Sequence, residues 1–437
     1  MSQPSNNIGT NQSGATLNGL FKQVYAKGVV SAPPNFAILQ KRVPFQKSKL
    51  LGDLYHIPVV LTREQGFTYS NAQGAAYTLN SSIAMQLQDA QVQGAELTLQ
   101  SGISYGAVSR AQSAGPEAVE GAVGLLFEQM KESFAARIEI AMLYGASQTG
   151  LGVISATSGS GTTRTYTISS ATYGDGMWSG LENANLDVYY DTGTTGVQLN
   201  TNAAVVITKV NVVNQTVSVS GNSTDLTAID AQVGTTAGTS ATFYFYQAYG
   251  NEMSGLDCIM LNTGTLFNIS ASTYNLWAAN TYSCSSAQLT MGKVLEGLAV
   301  PCARGLMSDV TLFVNPTSYA NLLSDLSAQR RFDGTWSKAK LSNGTEGIEF
   351  YHGQGKIEVI SHAMVKRGEA FCGPVDLITR VGSTDFTMRG EMIGGEETYL
   401  FQNTTQNGWT CRGYADQAII IELPAHWVKF TSITPTT

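Results

Sequence analysis

Residues 115–145, GPEAVEGAVGLLFEQMKESFAARIEIAMLYG, hold the long helical pattern around which the rest of the chain is arranged. Pro116 suits a first helical position, because its missing N–H would find no intrahelical partner there. Gly145 suits a stop, where the closing residue turns left-handed. Between them Val119, Val123, Leu126, Met130, Phe134, Ile138 and Ala141 recur at steps of three and four, which lays an apolar stripe along one side. Glu120, Glu128, Lys131, Glu132 and Arg137 fall largely off that stripe. The segment predicts a rod of about 42 Å, long for a globular helix and too charged to cross a bilayer. It reads as a spine, with strands, arms and loops packed around it.

At 437 residues the chain is long enough for roughly two or three domains with real cores. Charged residues make up 13% of it, against the roughly 25% usual in soluble domains, and Ser, Thr, Asn, Gln and 45 Gly supply the remaining polarity. Two kinds of surface satisfy that composition: one buried against other subunits, or a β-rich one wetted by hydroxyls and amides. The net charge of −7 argues against tight sequence-specific DNA binding, because phosphate contacts need a basic face. Cys258, Cys284, Cys302, Cys372 and Cys411 contain no C-x-x-C pair, which disfavours a disulfide framework or zinc knuckle. Residues 1–30 lack the apolar core of a signal peptide, and no apolar run is long enough to span a bilayer. Synthesis in a cytoplasm is expected.

Residues 1–20 are rich in Asn, Ser, Gly and Gln and predict a tail without structure of its own. From Phe21 the composition turns basic, with Lys22, Lys27, Lys41, Arg42, Lys47, Lys49 and Arg63 against Asp53, and Pro33, Pro34, Pro44 and Pro58 keep the segment extended. Residues 64–112 carry alternating stretches, Phe67-Thr68-Tyr69 and Ala95-Glu96-Leu97-Thr98-Leu99, broken by Gly66, Gly74, Gly94, Gly102 and Gly106. They predict a two-stranded ribbon with a loose tip, which is marginal alone in water and needs something to lie on.

Residues 151–255 contain nine charged side chains and are dominated by Thr, Ser, Gly and Val. Two strand-turn-strand units, 152–168 and 205–219, resemble each other and predict an inserted all-β barrel or sandwich. Mixed α and β follows. Residues 288–300 read as a helix and 310–314 as a buried strand, and Asn315-Pro316 caps a helix bearing Tyr319, Leu322, Leu323 and Leu326. Further strands are expected at 356–360, 370–372, 398–401 and 418–422.

Motifs for chemistry are sparse. Gly102-Ile103-Ser104-Tyr105-Gly106 matches the nucleophile-elbow pattern, but a ribbon strand precedes it and a loop follows, where an elbow needs a strand and then a helix. His56, His352, His362 and His426 are too scattered to form a metal motif. Gly353-x-Gly355 lacks the third glycine and following helix of a phosphate cradle and predicts a turn. Arg330-Arg331 near Phe332 and Trp336 could stack on a base or touch another subunit. No catalytic, cofactor-binding or metal-binding residues are expected.

The order of parts is itself informative: basic arm, ribbon, spine helix, then a strand followed by Asn315-Pro316 and a helix. After these come Gly347-Ile-Glu-Phe-Tyr351, Gly353-Gln-Gly-Lys-Ile-Glu-Val359, His362, Val365-Lys366 and Gly368-Glu-Ala-Phe371. This order resembles the tailed-bacteriophage major capsid proteins of the Hong Kong 97 type, over roughly residues 21–150 and 256–432. The resemblance implies an α+β capsid fold with an N-terminal arm at 1–63, an extended β-hairpin loop at 64–112 and the spine helix of a peripheral domain at 113–150. It further implies a peripheral continuation at 256–285, an axial domain at 286–380 and return strands at 381–437, with residues 151–255 inserted.

The resemblance implies a structural protein, not an enzyme, made in a host bacterial cytoplasm and assembled into an icosahedral head around double-stranded DNA. Its partners would be copies of itself as hexamers and pentamers, packaged DNA held without sequence preference, and a separate scaffolding protein, a portal and a decoration protein; no membrane is implied. Some family members weld their shells through a lysine in the extended loop, but residues 64–112 contain none. Contacts between subunits are expected at Phe67, Tyr69 and Tyr77, with Arg63, Asp89 and Arg110 as ion-pair partners. The alternative is a β-rich glycan-binding adhesin or tail component acting through residues 151–255.

Overall fold

The computed structural model describes residues 37–47, 54–71, 74, 76–106, 109, 116–191, 196–234, 240–329, 348–387, 392–393, 396–397, 401–402 and 407–434. The spine helix spans Pro116–Tyr144, as its periodicity requires. Met130, Phe134, Ile138 and Ala141 of the predicted stripe are buried, but from Ile138 to Tyr144 every side chain is buried, including Glu139. The last two turns therefore run through the protein and not along it. The left-handed residue at the helix end is Ala146, at φ 54°, and not Gly145. Gly145 is needed for space instead, because a Cβ there would strike the carbonyl of Met253.

A five-stranded sheet lies against the helix. The long strand Gly408–Ile421 is its axis, pairing on one edge with Ile378–Thr387 and on the other with Ala95–Ser104, from Ala95 opposite Gln417 to Ser104 opposite Gly408. Phe45–Lys47 adds in parallel to Ile378–Thr387. The helix packs here through Phe134, whose ring centroid is 4.6 Å from that of Phe386. Of the strand expected at 398–401, residues 398–400 lie outside the described residues, and Phe401–Gln402 is strand.

The insert is a closed barrel. Its seven-stranded sheet runs from Thr242–Phe245 through Gly152–Ser158, Thr163–Ile168, Thr216–Ser220 and Val205–Asn211 to Asn185–Asp191, with Gly196–Gln198 attached beyond. Thr242–Phe245 pairs with both Gly152–Ser158 and Asn185–Asp191, which closes the circuit. Tyr166, Trp178, Val188, Ile207, Val219 and Phe243 fill the interior. Both predicted hairpins are present. The chain enters and leaves at one point, where the Gly255 N–H donates to the Gly145 carbonyl at 2.9 Å. A Cβ on Gly255 would lie 2.6 Å from both the Ala141 oxygen and the Gly145 nitrogen. Gly255→Ala is therefore expected to cost about 3 kcal/mol, read as a lowered thermal midpoint; an unchanged midpoint would show that the stem can spread.

The third body is a six-stranded sheet in the order Asn280–Ala287, Val428–Ile433, Ala370–Gly373, Val310–Val314, Gly355–Ser361, Ile348–His352, covered by helices Met291–Ala303 and Pro316–Gln329. The first helix begins at Met291 and not at the expected 288, because the Thr290 hydroxyl accepts the Lys293 N–H at 3.4 Å. The Asn315 side chain accepts the Thr317 N–H at 3.1 Å, the cap its sequence predicts. The terminal strand Val428–Ile433 returns to this sheet, parallel to Asn280–Ala287. Among the described residues no helix is long and apolar enough to cross a membrane.

Candidate assembly site: the reaching ribbon and its buried base

The antiparallel ribbon is built from Leu54–Val60 and Leu87–Gln93, in register from Leu54 opposite Gln93 to Val60 opposite Leu87. This corrects the expected ribbon at 64–112 in two ways. Its first strand comes from the segment expected to be arm, and Ala95–Ser104 pairs with Gly408–Ile421 and not with Phe67–Tyr69. Pro58 is tolerated because a two-stranded ribbon turns alternate N–H positions outward, where a missing donor costs nothing.

Beyond the strands the two arms of the tip run side by side, tied at intervals. Leu61 N donates to the Gln86 oxygen at 2.9 Å, Gln65 N to the Ile83 oxygen at 3.1 Å, Gln86 N to Thr62 Oγ1 at 2.8 Å and Asn80 N to Thr68 Oγ1 at 2.7 Å. Threonine hydroxyls thus stand in for part of a strand ladder. This tip presents Val60, Phe67, Tyr69, Tyr77, Leu79, Ile83, Met85 and Leu87 to solvent, with Tyr69 96%, Leu79 72% and Phe67 71% exposed. So dense a run of exposed large apolar side chains is unusual on a surface left facing water.

Of the residues predicted for subunit contact, Phe67, Tyr69 and Tyr77 lie on this surface and Arg63 is exposed beside it. Asp89 also has a partner within the chain, its carboxylate meeting the His56 ring across the ribbon. That hydrogen bond holds Asp89 below the usual carboxylate range. Arg110, like Arg330, Arg331, Phe332 and Trp336, lies outside the described residues. Leu79, Ile83 and Met85 alternate with small or polar residues between Tyr77 and Leu87, a strand-like spacing that was the signal available for them.

The ribbon's base is anchored. Tyr55, Ala90 and Val92 are buried, and the Gln91 N–H donates to the Phe267 oxygen at 3.0 Å. The incoming arm is held by Glu139 of the spine helix. Its carboxylate accepts the N–H groups of Ile38, Leu39 and Gln40 at 3.1, 2.6 and 2.8 Å, at the start of the short helix Leu39–Arg42. His362 Nε2 lies 2.7 Å from the same carboxylate. Because Met364 N donates to His362 Nδ1 at 3.1 Å, the ring proton sits on Nε2 and points at Glu139. Arg42 then forks onto Glu358 at 2.6 and 2.7 Å on the surface.

A second buried polar joint ties the barrel stem to the six-stranded sheet. Lys366 Nζ donates to Thr149 Oγ1 at 2.6 Å and to the Gly150 oxygen at 2.8 Å, under the Tyr144 ring. Lys429 meets Asp257 and Glu369. The sequence signal for these joints is a charge inside an apolar run, Ile138-Glu139-Ile140 and Val428-Lys429-Phe430. Burial pushes the Lys366 ammonium down to about 8 from 10.5, against the pull of Glu369 and Asp257. The unfolded chain therefore holds a proton that the folded chain releases in that window, so this lysine adds stability as pH rises through it. Lys429, held above 10.5 by its two carboxylates, does not titrate there. From pH 8 to 10 the parent is expected to gain on the order of 2 kcal/mol relative to Lys366→Met. Parallel pH profiles in thermal unfolding would refute it.

The motifs considered for chemistry fall into structural places. Gly102 to Ser104 finish the strand beside Gly408–Ile421, and Tyr105 and Gly106 are helical where a loop is expected, which corrects that reading; Tyr105 stacks on Trp409 at 5.3 Å. Gly353-x-Gly355 is the tight turn between paired strands. Among the described residues no three His, Cys, Asp or Glu side chains converge in a geometry for a metal.

The chain matches a chain of the Cyanophage A-1(L) capsid asymmetric unit over 94% of its own length and 95% of that chain, with a TM-score of 0.52 at 10% identity. This is the Hong Kong 97-type capsid fold. Likenesses to the capsid of Cyanophage P-SCSP1u, with a TM-score of 0.44 at 12% identity over 98% of both chains, and to the capsid of Myoviridae Phage XM1, with 0.43 at 8% over 94% and 96%, are weaker. No protein-family model and no curated protein matches the sequence. Within the Hong Kong 97-type fold, the roles of individual residues therefore rest on the geometry of this chain.

Proposed function

We propose that this chain is the repeating subunit of an icosahedral phage head and that its ribbon lies over a neighbouring copy. The observation that carries the reading is the tip of the ribbon, where Phe67, Tyr69, Leu79 and Met85 stand in solvent on a base that is firmly buried. Covering each such side chain contributes roughly 1.5–3 kcal/mol, so a few per contact, repeated around every subunit, close a shell without any single strong pair. The fold supports a second copy as the occupant, since the likeness to a capsid subunit spans the barrel-bearing chain almost end to end.

On this reading the N-terminal segment also reaches a neighbour, the six-stranded body is the axial domain, and the spine helix with its sheet is the peripheral domain. Hexamers and pentamers are the assembly units, and a scaffolding protein, portal and decoration protein are further partners. The net charge of −7 suits loose contact with packaged double-stranded DNA. Assembly takes place in the bacterial cytoplasm. The protein is not an enzyme, and no observation favours the glycan-binding alternative.

Electron microscopy and sedimentation of the purified full chain test the proposal: closed particles or capsomers support it. A compact monomer at high concentration, with the ribbon folded onto its own body, overturns it.

A further inference from the structure

Three ionisable side chains far apart in sequence converge where the barrel stem meets the terminal strand. Asp257 lies in the helix Leu256–Leu261, Glu369 in the turn before Ala370–Gly373, and Lys429 on Val428–Ile433. Lys429 Nζ touches Asp257 Oδ1 and donates to Glu369 Oε1 at 2.9 Å. The side chains of Lys429 and Asp257 are 2% and 1% exposed. Ser147 Oγ donates to Asp257 Oδ2, and the Phe371 ring lies 5.9 Å from Nζ. The other oxygen of Glu369, Oε2, is buried with no hydrogen-bond partner, and the Tyr144 phenol shares its surroundings. A buried carboxylate with an unsatisfied oxygen is one that accepts a proton at little cost.

We propose that Lys429 and Asp257 join in an isopeptide bond within the chain, with Glu369 as the catalytic proton carrier. Glu369 takes a proton from the Lys429 ammonium, and the neutral amine attacks Cγ of Asp257, whose Oδ2 is polarised by the Ser147 hydroxyl. Glu369 passes that proton to an Asp257 oxygen and relays a second from the nitrogen as the tetrahedral carbon collapses. The C–O bond breaks, the C–N bond forms and one water leaves, with no oxidant or reductant.

Charges balance as well. Lys366 and Lys429 face Asp257 and Glu369 before the reaction, and Lys366 faces Glu369 after it. Lys366 does not compete, because its ammonium is tied to Thr149 and Gly150. Burial raises the Glu369 carboxyl, which suits it to hold a proton, while the facing carboxylates keep Lys429 charged until that transfer. The bond would tie the barrel stem to the terminal strand. It lies inside one subunit and is independent of whether shells form.

The test is the intact mass of the purified full chain, unfolded and reduced. The expected mass is one water below that of its sequence, with a branched peptide joining the Asp257 and Lys429 segments on digestion and fragmentation. Lys429→Met restores the sequence mass. Asp257→Asn gives the same cross-linked mass as the parent, because ammonia leaves in place of water. Glu369→Gln leaves the chain uncrosslinked. A parent chain with linear Asp257 and Lys429 peptides only would overturn the bond itself, and cross-linking retained in Glu369→Gln would overturn the role of Glu369.

Discussion

Replacing Phe67, Leu79 and Met85 together by serine is expected to abolish particle formation while leaving the subunit's unfolding transition where it was. All three side chains stand on the ribbon tip, more than half exposed, so their loss opens no cavity in the chain itself. Each loses roughly 1.5–3 kcal/mol of burial at the contact, a combined loss of about 5–9 kcal/mol that a shell held by many modest contacts cannot absorb. Negative-stain microscopy reads the particles and circular dichroism reads the fold. Particles of normal size and yield from the triple variant would remove the tip from the interface, whatever the rest of the molecule does.

The second large effect belongs to Glu139. Its carboxylate serves three backbone N–H groups of the arm and the His362 ring, in a place closed to solvent. Glu139→Ala leaves those donors buried and unpaired, and a loss of about 3–5 kcal/mol is expected. Glu139→Gln keeps one acceptor oxygen but turns an amide toward donors, and should fall between the two. Denaturant unfolding gives the magnitude, and limited proteolysis near residues 37–47 tells whether the arm has come away. A Glu139→Ala chain as stable and as protease-resistant as its parent would mean that the arm is held by its apolar contacts alone, chiefly Leu39 and Val43, which are both buried.

The two predictions draw on parts of the molecule that differ in how far they could be read beforehand. The ribbon was legible as a need: glycine-broken, alternating sequence with little to lie on. Its strands were misplaced because Pro58 reads locally as a break, whereas an outward-facing position in a two-stranded ribbon accepts it. Ala95–Ser104 alternates well enough to suggest a partner nearby, yet its partner is the strand Gly408–Ile421, and nothing within the ribbon specifies so distant a pairing. Glu139 was visible as a charge between two isoleucines. That it faces the protein interior, and what it holds there, depends on a loop more than two hundred residues away that supplies His362.

By itself the sequence determined what repeats locally. The 3.6-residue period of Pro116–Tyr144, the paired Thr- and Val-rich hairpins of the insert and the Asn315 cap each depend on neighbours a few residues apart, and each is present. Only the tertiary structure decided which edges meet: the closure of the barrel through Thr242–Phe245, the return of Val428–Ile433 to the six-stranded sheet, and the gathering of Asp257, Glu369 and Lys429. Strand edges carry the same backbone donors and acceptors whatever their sequence, so local pattern cannot choose among distant partners. Packing of the whole chain makes that choice, and with it places the buried charges.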